Sequence, residues 1–298
     1  MQRAGQSRCL FGAGDSMFVK AEWADALGRE GLTGVGDILA LDRGEVVTKS
    51  RTTRTVKLNS TLPGGPAVFV NLYFFPTWRD VVRRLFRGTL FGRPRARRLW
   101  RILGVMREAG VAAVETVAFG TRRAGLFLRA AFLITAEPAP GSVSLDRLPL
   151  AWRKDASAYA ERRRLIRGLS DAARSMHEAG FAHGDFFLRN IILAQPGEGP
   201  RFYFVDCSKG RFSSSVRPLV GAALDDLATL DAGAAVIASR AERLRFLLDY
   251  AGAKRVSAGI RVAVAAIRTR QERLVAVERT RMIASAPRTA VDGGQQVT

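Results

Sequence analysis

The chain has 298 residues, of which 47% are hydrophobic, enough for one large core or two smaller ones. Its 47 lysines and arginines outnumber its 27 acidic residues, which gives a formal net charge of +20, and only six of the basic residues are lysines. This balance favours a polyanionic partner, such as nucleic acid, an anionic membrane surface or a phosphorylated substrate. A genome rich in arginine codons would produce the same excess.

Cysteine usage and hydropathy exclude several classes of protein. The two cysteines, Cys9 and Cys207, are too few for a disulfide framework or a zinc site, which is typical of a reduced, cytoplasmic protein. The N-terminus has no long apolar segment, so we expect no signal peptide. The longest nearly apolar stretch, AGLFLRAAFLITA, is too short to span a bilayer and contains Arg129. We therefore expect a cytoplasmic protein that is soluble or peripheral on the inner membrane.

The pattern of the first half of the chain predicts several strands and one helix. After a Gly-rich extension over residues 1–40, which contains a short helical candidate, apolar residues recur with a period near two. The predicted strands are GEVVTKS, TRTVKLNS, AVFVNLYFF, VETVAFG and LFLRAAFLIT. A basic segment, 78–101, holds nine arginines, and RPRARRLWRILGVMREAG predicts a helix that ends at Gly110.

The second half reads as mainly helical. A Pro-rich linker, EPAPGS, separates it from the first half, and a long helix over 155–180 follows. Helices are also predicted from about residue 218 onward, and the last residues have the composition of a disordered tail. The predicted organisation is an N-terminal extension at 1–40, a strand-rich lobe at 41–136, a hinge at 137–142, a helical lobe at 143–285 and a tail at 286–298. A cleft between two lobes is a usual place for a small ligand.

One set of polar residues lies around a short predicted hairpin. The stretch FAHGDFFLRNIIL contains Asp185 and Asn190 directly before an apolar strand, and the next strand, RFYFVD, ends in Asp206. Because neighbouring strands of a hairpin place these ends together, the three oxygen-bearing side chains should surround one point. One carboxylate and one carboxamide are suitable ligands for Mg²⁺ on a nucleotide, and the other carboxylate can accept a proton from a hydroxyl.

These segments resemble the protein-kinase-like superfamily. HGDFFLRN followed by VDCSKG is similar to its catalytic loop and metal-binding segment. MREAGVAAVETVAFG, DDLATL and AERLRFLLDYAG are similar to the lipopolysaccharide core heptose/Kdo kinase family, the Kdo/WaaP group. The resemblance covers roughly residues 40–255. It implies an α+β, two-lobed fold with an antiparallel-sheet N-lobe containing one helix, and a mainly helical C-lobe.

The resemblance also implies roles for particular residues. Asp185 would be the catalytic base, and Asn190 and Asp206 would be the Mg²⁺ ligands in a site that binds ATP. His183 would support the loop structurally, and Asp226 would brace it from a following helix. The hinge backbone would meet the adenine edge through Thr135, Ala136 and Glu137.

Two positions depart from the family pattern. The third strand of the lobe normally carries a phosphate-binding lysine, and Asn71 occupies that nucleotide-contacting position. The glutamate that would pair with this lysine matches Leu99, so both partners are replaced together, which avoids a buried unpaired charge. Lys57 on the preceding strand is a candidate replacement, and an exposed strand lysine is the alternative. Arg54, three residues earlier, should point to the opposite face.

Other residues have ordinary structural interpretations. We expect His177 to be a helix-end residue and Cys207 a packing residue, while Lys209 and Arg211 either meet phosphate or lie in a solvated turn. The C-terminal basic helix, with 78–101, either packs on the lobe or docks on anionic lipid headgroups.

The predicted function is phosphorylation of a sugar hydroxyl on lipopolysaccharide core or a related membrane-associated glycolipid. The alternatives are a pseudokinase that acts as a binding or scaffold protein, and a kinase for a protein or small-molecule acceptor. Nucleic acid is not an expected partner, because charge alone supports it and no recognised module accompanies that charge.

Overall fold

The computed structural model describes residues 8–12, 14–59, 67–75, 95–125, 127–148, 157–194, 199–213 and 220–285, with side chains between residues 14 and 274. Two segments discussed above lie outside the described residues. They are the first part of the basic segment, at 78–94, and the tail at 286–298.

The N-terminal half forms an antiparallel sheet of seven strands. Its strands are β1 (Arg8–Gly12), β2 (Asp15–Val19), β3 (Glu45–Lys49), β4 (Thr53–Leu58), β5 (Val68–Phe74), β6 (Thr116–Ala124) and β7 (Phe127–Ala136). They lie in the order β1-β2-β6-β7-β5-β4-β3. The five strands predicted from alternation are present, whereas the β1–β2 hairpin was not predicted. This hairpin extends the sheet because β2 pairs with β6, about a hundred residues later in the chain.

Side-chain alternation gives the sheet two different faces. The outer face packs Val56, Val70 and Leu72 against two short helices, α1 (Ala24–Arg29) and α2 (Val35–Leu39). The inner face, which includes Ala131 and Leu133, packs against α3 (Arg95–Glu108). The segment expected to be an extension therefore covers the sheet.

Helix α3 is amphipathic, as its sequence predicts. Its buried side chains, Ala96, Leu99, Leu103 and Met106, recur at intervals of three or four residues and share a core with the C-terminal half. The chain leaves the helix through Gly110, whose φ of +75° suits glycine. Beyond it, the N–H of Phe204 donates to the carbonyl of Ala112 at 3.1 Å, which joins the two lobes.

The C-terminal half is mainly helical with short strands. Its helices are α4 (Tyr159–Glu178), α5 (Val220–Ile237), α6 (Arg240–Tyr250) and α7 (Ala258–Ser285). Its strands are β8 (Val143–Ser144), β9 (Phe181–Ala182), β10 (Ile191–Ala194), β11 (Arg201–Phe204) and β12 (Arg211–Phe212). Strand β10 pairs with β11 and β8, and β12 pairs with β9. This arrangement confirms the predicted α+β class.

Helix α7 packs on this lobe by one side. Ile260 and Ile267 are buried against α5 and α6, while Arg261, Arg268 and Arg273 are exposed. Within the described ranges, no helix combines the length and the apolar character that crossing a bilayer requires.

Candidate active site

The loop between β9 and β10 is hydrogen-bonded to helix α5. The carboxylate of Asp226 is 1% exposed and accepts the main-chain N–H groups of His183 at 2.5 Å and Gly184 at 2.7 Å. The same carboxylate lies 3.2 Å from Nε2 of His177, whose Nδ1 lies 2.8 Å from the Tyr250 hydroxyl. A buried carboxylate needs such donors, so the loop and the carboxylate stabilise each other.

His183 connects the loop to the strand that precedes Asp206. Its Nδ1 accepts the N–H of Asp185 at 3.3 Å, which leaves the hydrogen on Nε2 to donate to the carbonyl of Val205 at 2.9 Å. Burial lowers the pKa of His183 below its ordinary value and outweighs the opposing effect of Asp226 and the other nearby carboxylates. His183 is therefore a neutral structural link between the two segments of the site.

Asp185 projects from this loop with its side chain 15% exposed. Its carboxylate accepts from Lys209 Nζ at 2.8 Å, and the guanidinium of Arg189 lies 3.7 Å away. Asn190 Nδ2 donates to the main-chain carbonyl of Asp185 at 2.8 Å. The β10–β11 hairpin begins directly after Asn190, and the N–H of Val205 donates to the carbonyl of Asn190 at 3.0 Å. The predicted juxtaposition of the two hairpin ends is therefore confirmed.

Asp206 has a backbone conformation that distinguishes it from its neighbours. Its φ of +53° makes it the one non-glycine residue with positive φ in the part of the chain that the structure describes. Such strain is typical of functional positions. The Asp206 carboxylate accepts from Arg95 Nη2 at 2.7 Å through each of its two oxygens. Burial by itself would lower the pKa of the Arg95 guanidinium, but its contact with the Asp206 carboxylate has the larger opposite effect. The pKa of Arg95 is therefore raised above its ordinary value.

The donor set of Asn190 and Asp206 fits Mg²⁺ on a nucleotide. Because the Asn190 amide donates through Nδ2, its Oδ1 is the atom that would bind a cation. Asp206 would supply the carboxylate, and phosphate oxygens and water would complete the coordination. Within the described ranges, no cluster of three or more His, Cys, Asp or Glu side chains is placed to hold a metal ion.

A partly buried ion pair connects β4 to the first residue of the hinge. Glu137, whose side chain is 4% exposed, accepts from Lys57 Nζ at 2.9 Å, and this ammonium lies 5.6 Å from the centre of the Phe69 ring. The strand register aligns Lys57, Phe69 and Thr135 across β4, β5 and β7 on the inner face. Ala136 is buried at the end of β7.

Lys57 therefore lies on the inner face of the sheet, where a cation that replaces the missing strand lysine would have to lie. Arg54 faces the other way, because its guanidinium donates to the carbonyl of Leu41. The alternation argument separated these two cations correctly, and the role of Lys57 at phosphate stays a prediction.

Asn71 and Leu99 occupy neutral surroundings. Asn71 accepts from the Thr55 hydroxyl at 2.9 Å and lies opposite Leu133 in the register. Leu99 is 2% exposed within the shared core.

Sequence reasoning missed the contacts of three residues in this region, Arg95, Lys209 and His177. Arg95 could not be distinguished among the nine arginines of 78–101. Lys209 was considered only for phosphate or solvent, and it contacts Asp185 instead. His177 does lie at a helix end, but its link to Tyr250 has no signal in sequence spacing, because 73 residues separate them. Cys207 is buried, as expected of a packing residue, and burial raises its thiol pKa.

Comparison with known proteins identifies the family. Residues 39–232, more than half of the chain, match the lipopolysaccharide kinase (Kdo/WaaP) family. The lipopolysaccharide core heptose(I) kinase WaaP of Escherichia coli is 27% identical over 159 residues, which are 53% of this chain and 57% of that protein. The corresponding Pseudomonas aeruginosa kinase is 28% identical over 153 residues, or 51% and 54% of the two chains. The chain thus spans little more than half the length of these curated relatives.

A solved structure has the same fold. The structure of WaaP in complex with acyl carrier protein matches with a TM-score of 0.55 and 24% identity, covering 80% of this chain and 91% of that chain. This match confirms the two-lobed, protein-kinase-like fold.

Proposed function

The chain belongs to the lipopolysaccharide kinase (Kdo/WaaP) family, and from this premise we propose that it transfers the γ-phosphoryl group of ATP to a sugar hydroxyl. The acceptor would be lipopolysaccharide core or a related membrane-associated glycolipid. The observation that carries the proposal is the convergence of Asp185, Asn190 and Asp206 at one end of the β10–β11 hairpin, on a loop braced by Asp226.

Each residue has a definite task in this mechanism. Asp185 orients the acceptor hydroxyl and accepts its proton as the oxygen attacks phosphorus. Asn190 and Asp206 would hold Mg²⁺, which would neutralise part of the phosphate charge when bound. Thr135, Ala136 and Glu137 would meet the adenine edge. The main-chain N–H groups of Ala136 and Glu137 already donate to the carbonyls of Glu115 at 2.9 Å and Ala67 at 2.7 Å. His183 and Asp226 keep the loop in place without touching substrate.

Binding of Mg-ATP tests the proposal without knowledge of the acceptor. We expect calorimetry to give saturable binding that requires magnesium and is lost or strongly weakened in Asp206→Asn. Asparagine tolerates the positive φ of this position, so the variant removes charge with little backbone strain. Asp171→Asn, at a half-exposed carboxylate on α4, is the matched control.

The alternatives make different predictions. No binding at near-physiological ATP would favour a pseudokinase that acts as a scaffold. Binding of Mg-ATP together with transfer to a protein or small molecule, but not to lipopolysaccharide core, would identify a different acceptor.

We propose that the protein works at the inner leaflet of the inner membrane. The exposed basic residues Lys254, Arg255, Arg261, Arg268 and Arg273, at and before α7, support this, because each cation near an anionic surface contributes about 1 kcal/mol. We expect sedimentation with anionic but not neutral vesicles, and loss of binding at high salt. Equal binding to both vesicle types would contradict the proposal.

A second proposed partner is an acyl carrier protein, the partner named for the structural neighbour. A cavity of about 700 Å³ between α4, α5, α6 and α7 supports it, because the cavity is lined by apolar side chains such as Leu165, Leu169, Leu227, Leu244 and Val264. Burial of an apolar chain attached to the carrier protein in this cavity would make the free energy of binding more favourable.

Substitutions that fill this cavity test whether it binds the chain of an acyl carrier protein. Ala234→Phe projects into the cavity, whereas Ala235→Phe lies on the exposed side of the same helix. We expect acyl-loaded carrier protein to bind more tightly than the unloaded form, and only Ala234→Phe to remove the difference. Equal binding of both forms by the unmodified chain would contradict the proposal.

A further inference from the structure

The proposed ATP site needs a cation at the phosphates that its strand β5 does not supply. Asn71 is neutral and hydrogen-bonded to Thr55. Lys57 is engaged by Glu137 at 2.9 Å at the hinge. Lys209 and Arg189 both contact Asp185, the residue proposed to meet the acceptor. A triphosphate carries several negative charges, so a site without a further cation would depend on Mg²⁺ alone.

Arg95 lies at the point where such a cation is required. Its guanidinium contacts both carboxylate oxygens of Asp206 at 2.7 Å, and its central carbon lies 5.4 Å from the centre of the Tyr73 ring. Tyr73 is two residues from Asn71, and alternation places both on the inner face of β5. Arg95 thus lies between the strand that lacks the lysine and the proposed metal ligand.

The start of α3 is held against the metal-binding segment by a second contact. Arg98, one turn after Arg95, donates to the carbonyl of Gly210 at 3.2 Å. Burial raises the pKa of Tyr73 to about 12, so its ring remains a neutral platform for the guanidinium. Two contacts therefore orient Arg95. Its guanidinium lies over the Tyr73 ring, and the Arg98–Gly210 hydrogen bond holds the first turn of α3 against the metal-binding segment.

We propose that Arg95 is the phosphate-binding cation of this site, supplied by the first turn of α3 instead of strand β5. On Mg-ATP binding, the guanidinium of Arg95 would leave the carboxylate of Asp206 and donate to phosphate oxygens, and the released carboxylate would then be available to hold Mg²⁺. Carboxylate and phosphate groups each present a pair of anionic oxygens that a guanidinium can bind through two hydrogen bonds, so the exchange conserves charge-assisted contacts. This inference rests on the proposed function.

Comparing two ligands separates a phosphate contact from a structural role. Calorimetry would measure Mg-ATP and adenosine binding to the unmodified chain, Arg95→Ala and Arg95→Lys. The matched control is Arg97→Ala, which removes an exposed arginine from the same helix. We expect Arg95→Ala to weaken Mg-ATP binding about ten- to a hundredfold, the range for a charge-assisted hydrogen bond, and to leave adenosine binding unchanged. Arg95→Lys should recover part of the loss.

Each other outcome overturns the inference in a recognisable way. Equal weakening of Mg-ATP and adenosine would make Arg95 a structural residue. Tighter Mg-ATP binding in Arg95→Ala would make it a competitor of the metal. Unchanged binding in both variants would leave the proposed function standing without this residue. Absence of Mg-ATP binding by the unmodified chain would remove the proposed function and this inference together.

Discussion

The carboxylate of Asp226 on α5 accepts the main-chain N–H of Gly184, 42 residues earlier, at 2.7 Å. This contact connects a buried turn of α5 to the loop that carries Asp185. Gly184 suits the position because its φ is +74° and a β-carbon would lie 2.6 Å from the carbonyl oxygen of Lys209. The geometry of the proposed catalytic loop therefore depends on α5.

Removing the charge of Asp226 should destabilise the whole lobe. We expect Asp226→Asn to lower the free energy of unfolding by about 3 kcal/mol, because hydrogen bonds to a charged group contribute roughly 1.5–3 kcal/mol each. Urea denaturation measures the change. The neighbouring Asp225→Asn affects an exposed pair with Arg270 and should cost less than about 1 kcal/mol. Similar losses in the two variants would show that Asp226 does not brace the loop.

His183 should make folding stability depend on pH below neutrality. Its pKa in the folded state lies below the ordinary value of 6.5 because burial disfavours the charged ring. As pH falls through 6.5, the unfolded chain takes up a proton that the folded chain does not. The His183 contribution is therefore complete above pH 6.5 and decreases below it, by at most about 1.4 kcal/mol per pH unit.

Unfolding at pH 7.5, 6.5 and 5.5 measures this effect against His183→Gln. The variant should be less stable at neutral pH, because the links to Val205 and Asp185 change, but it should lose less stability on acidification. Parallel pH profiles for the two proteins would contradict the prediction.

The Lys57–Glu137 pair should show strong coupling. We expect Lys57→Met to cost about 1–3 kcal/mol of folding free energy, since it leaves the buried Glu137 carboxylate without this partner. Adding Glu137→Gln should recover part of that loss, giving a coupling energy of about 0.5–3 kcal/mol. Lys49→Met, on the exposed edge strand β3, is the control and should have little effect. Additive losses in the double variant would argue against a functional ion pair in solution.

Asp185→Asn should separate catalysis from nucleotide binding. We expect phosphoryl transfer to fall about 10²- to 10⁴-fold, the usual contribution of a general base, with Mg-ATP affinity nearly unchanged. Transfer rates with lipopolysaccharide core as acceptor, combined with calorimetry, make the comparison, and Asp171→Asn serves as the control. Full turnover in Asp185→Asn would exclude this residue as the base.

The local pattern of the chain determined much of the fold and the composition of the candidate site. Alternation with period two predicted five of the strands and assigned Lys57 and Arg54 to opposite faces, because side chains on a strand must alternate. Helical spacing predicted the buried stripe of α3. The motif around Asp185 and Asn190, followed by a strand ending near Asp206, predicted the hairpin that brings them together. These features depend on neighbours within a few residues.

Only the tertiary structure decided which distant groups meet. The β1–β2 hairpin joins the sheet through pairing with β6, and the pairs Arg95–Asp206, Lys57–Glu137 and His177–Tyr250 each link residues from separate elements. No period in the sequence encodes these contacts, since they depend on how whole helices and strands pack. Arg95 illustrates the reason. It is one of nine arginines in the segment 78–101, and only its contacts with Tyr73 and Asp206 distinguish it from the other eight.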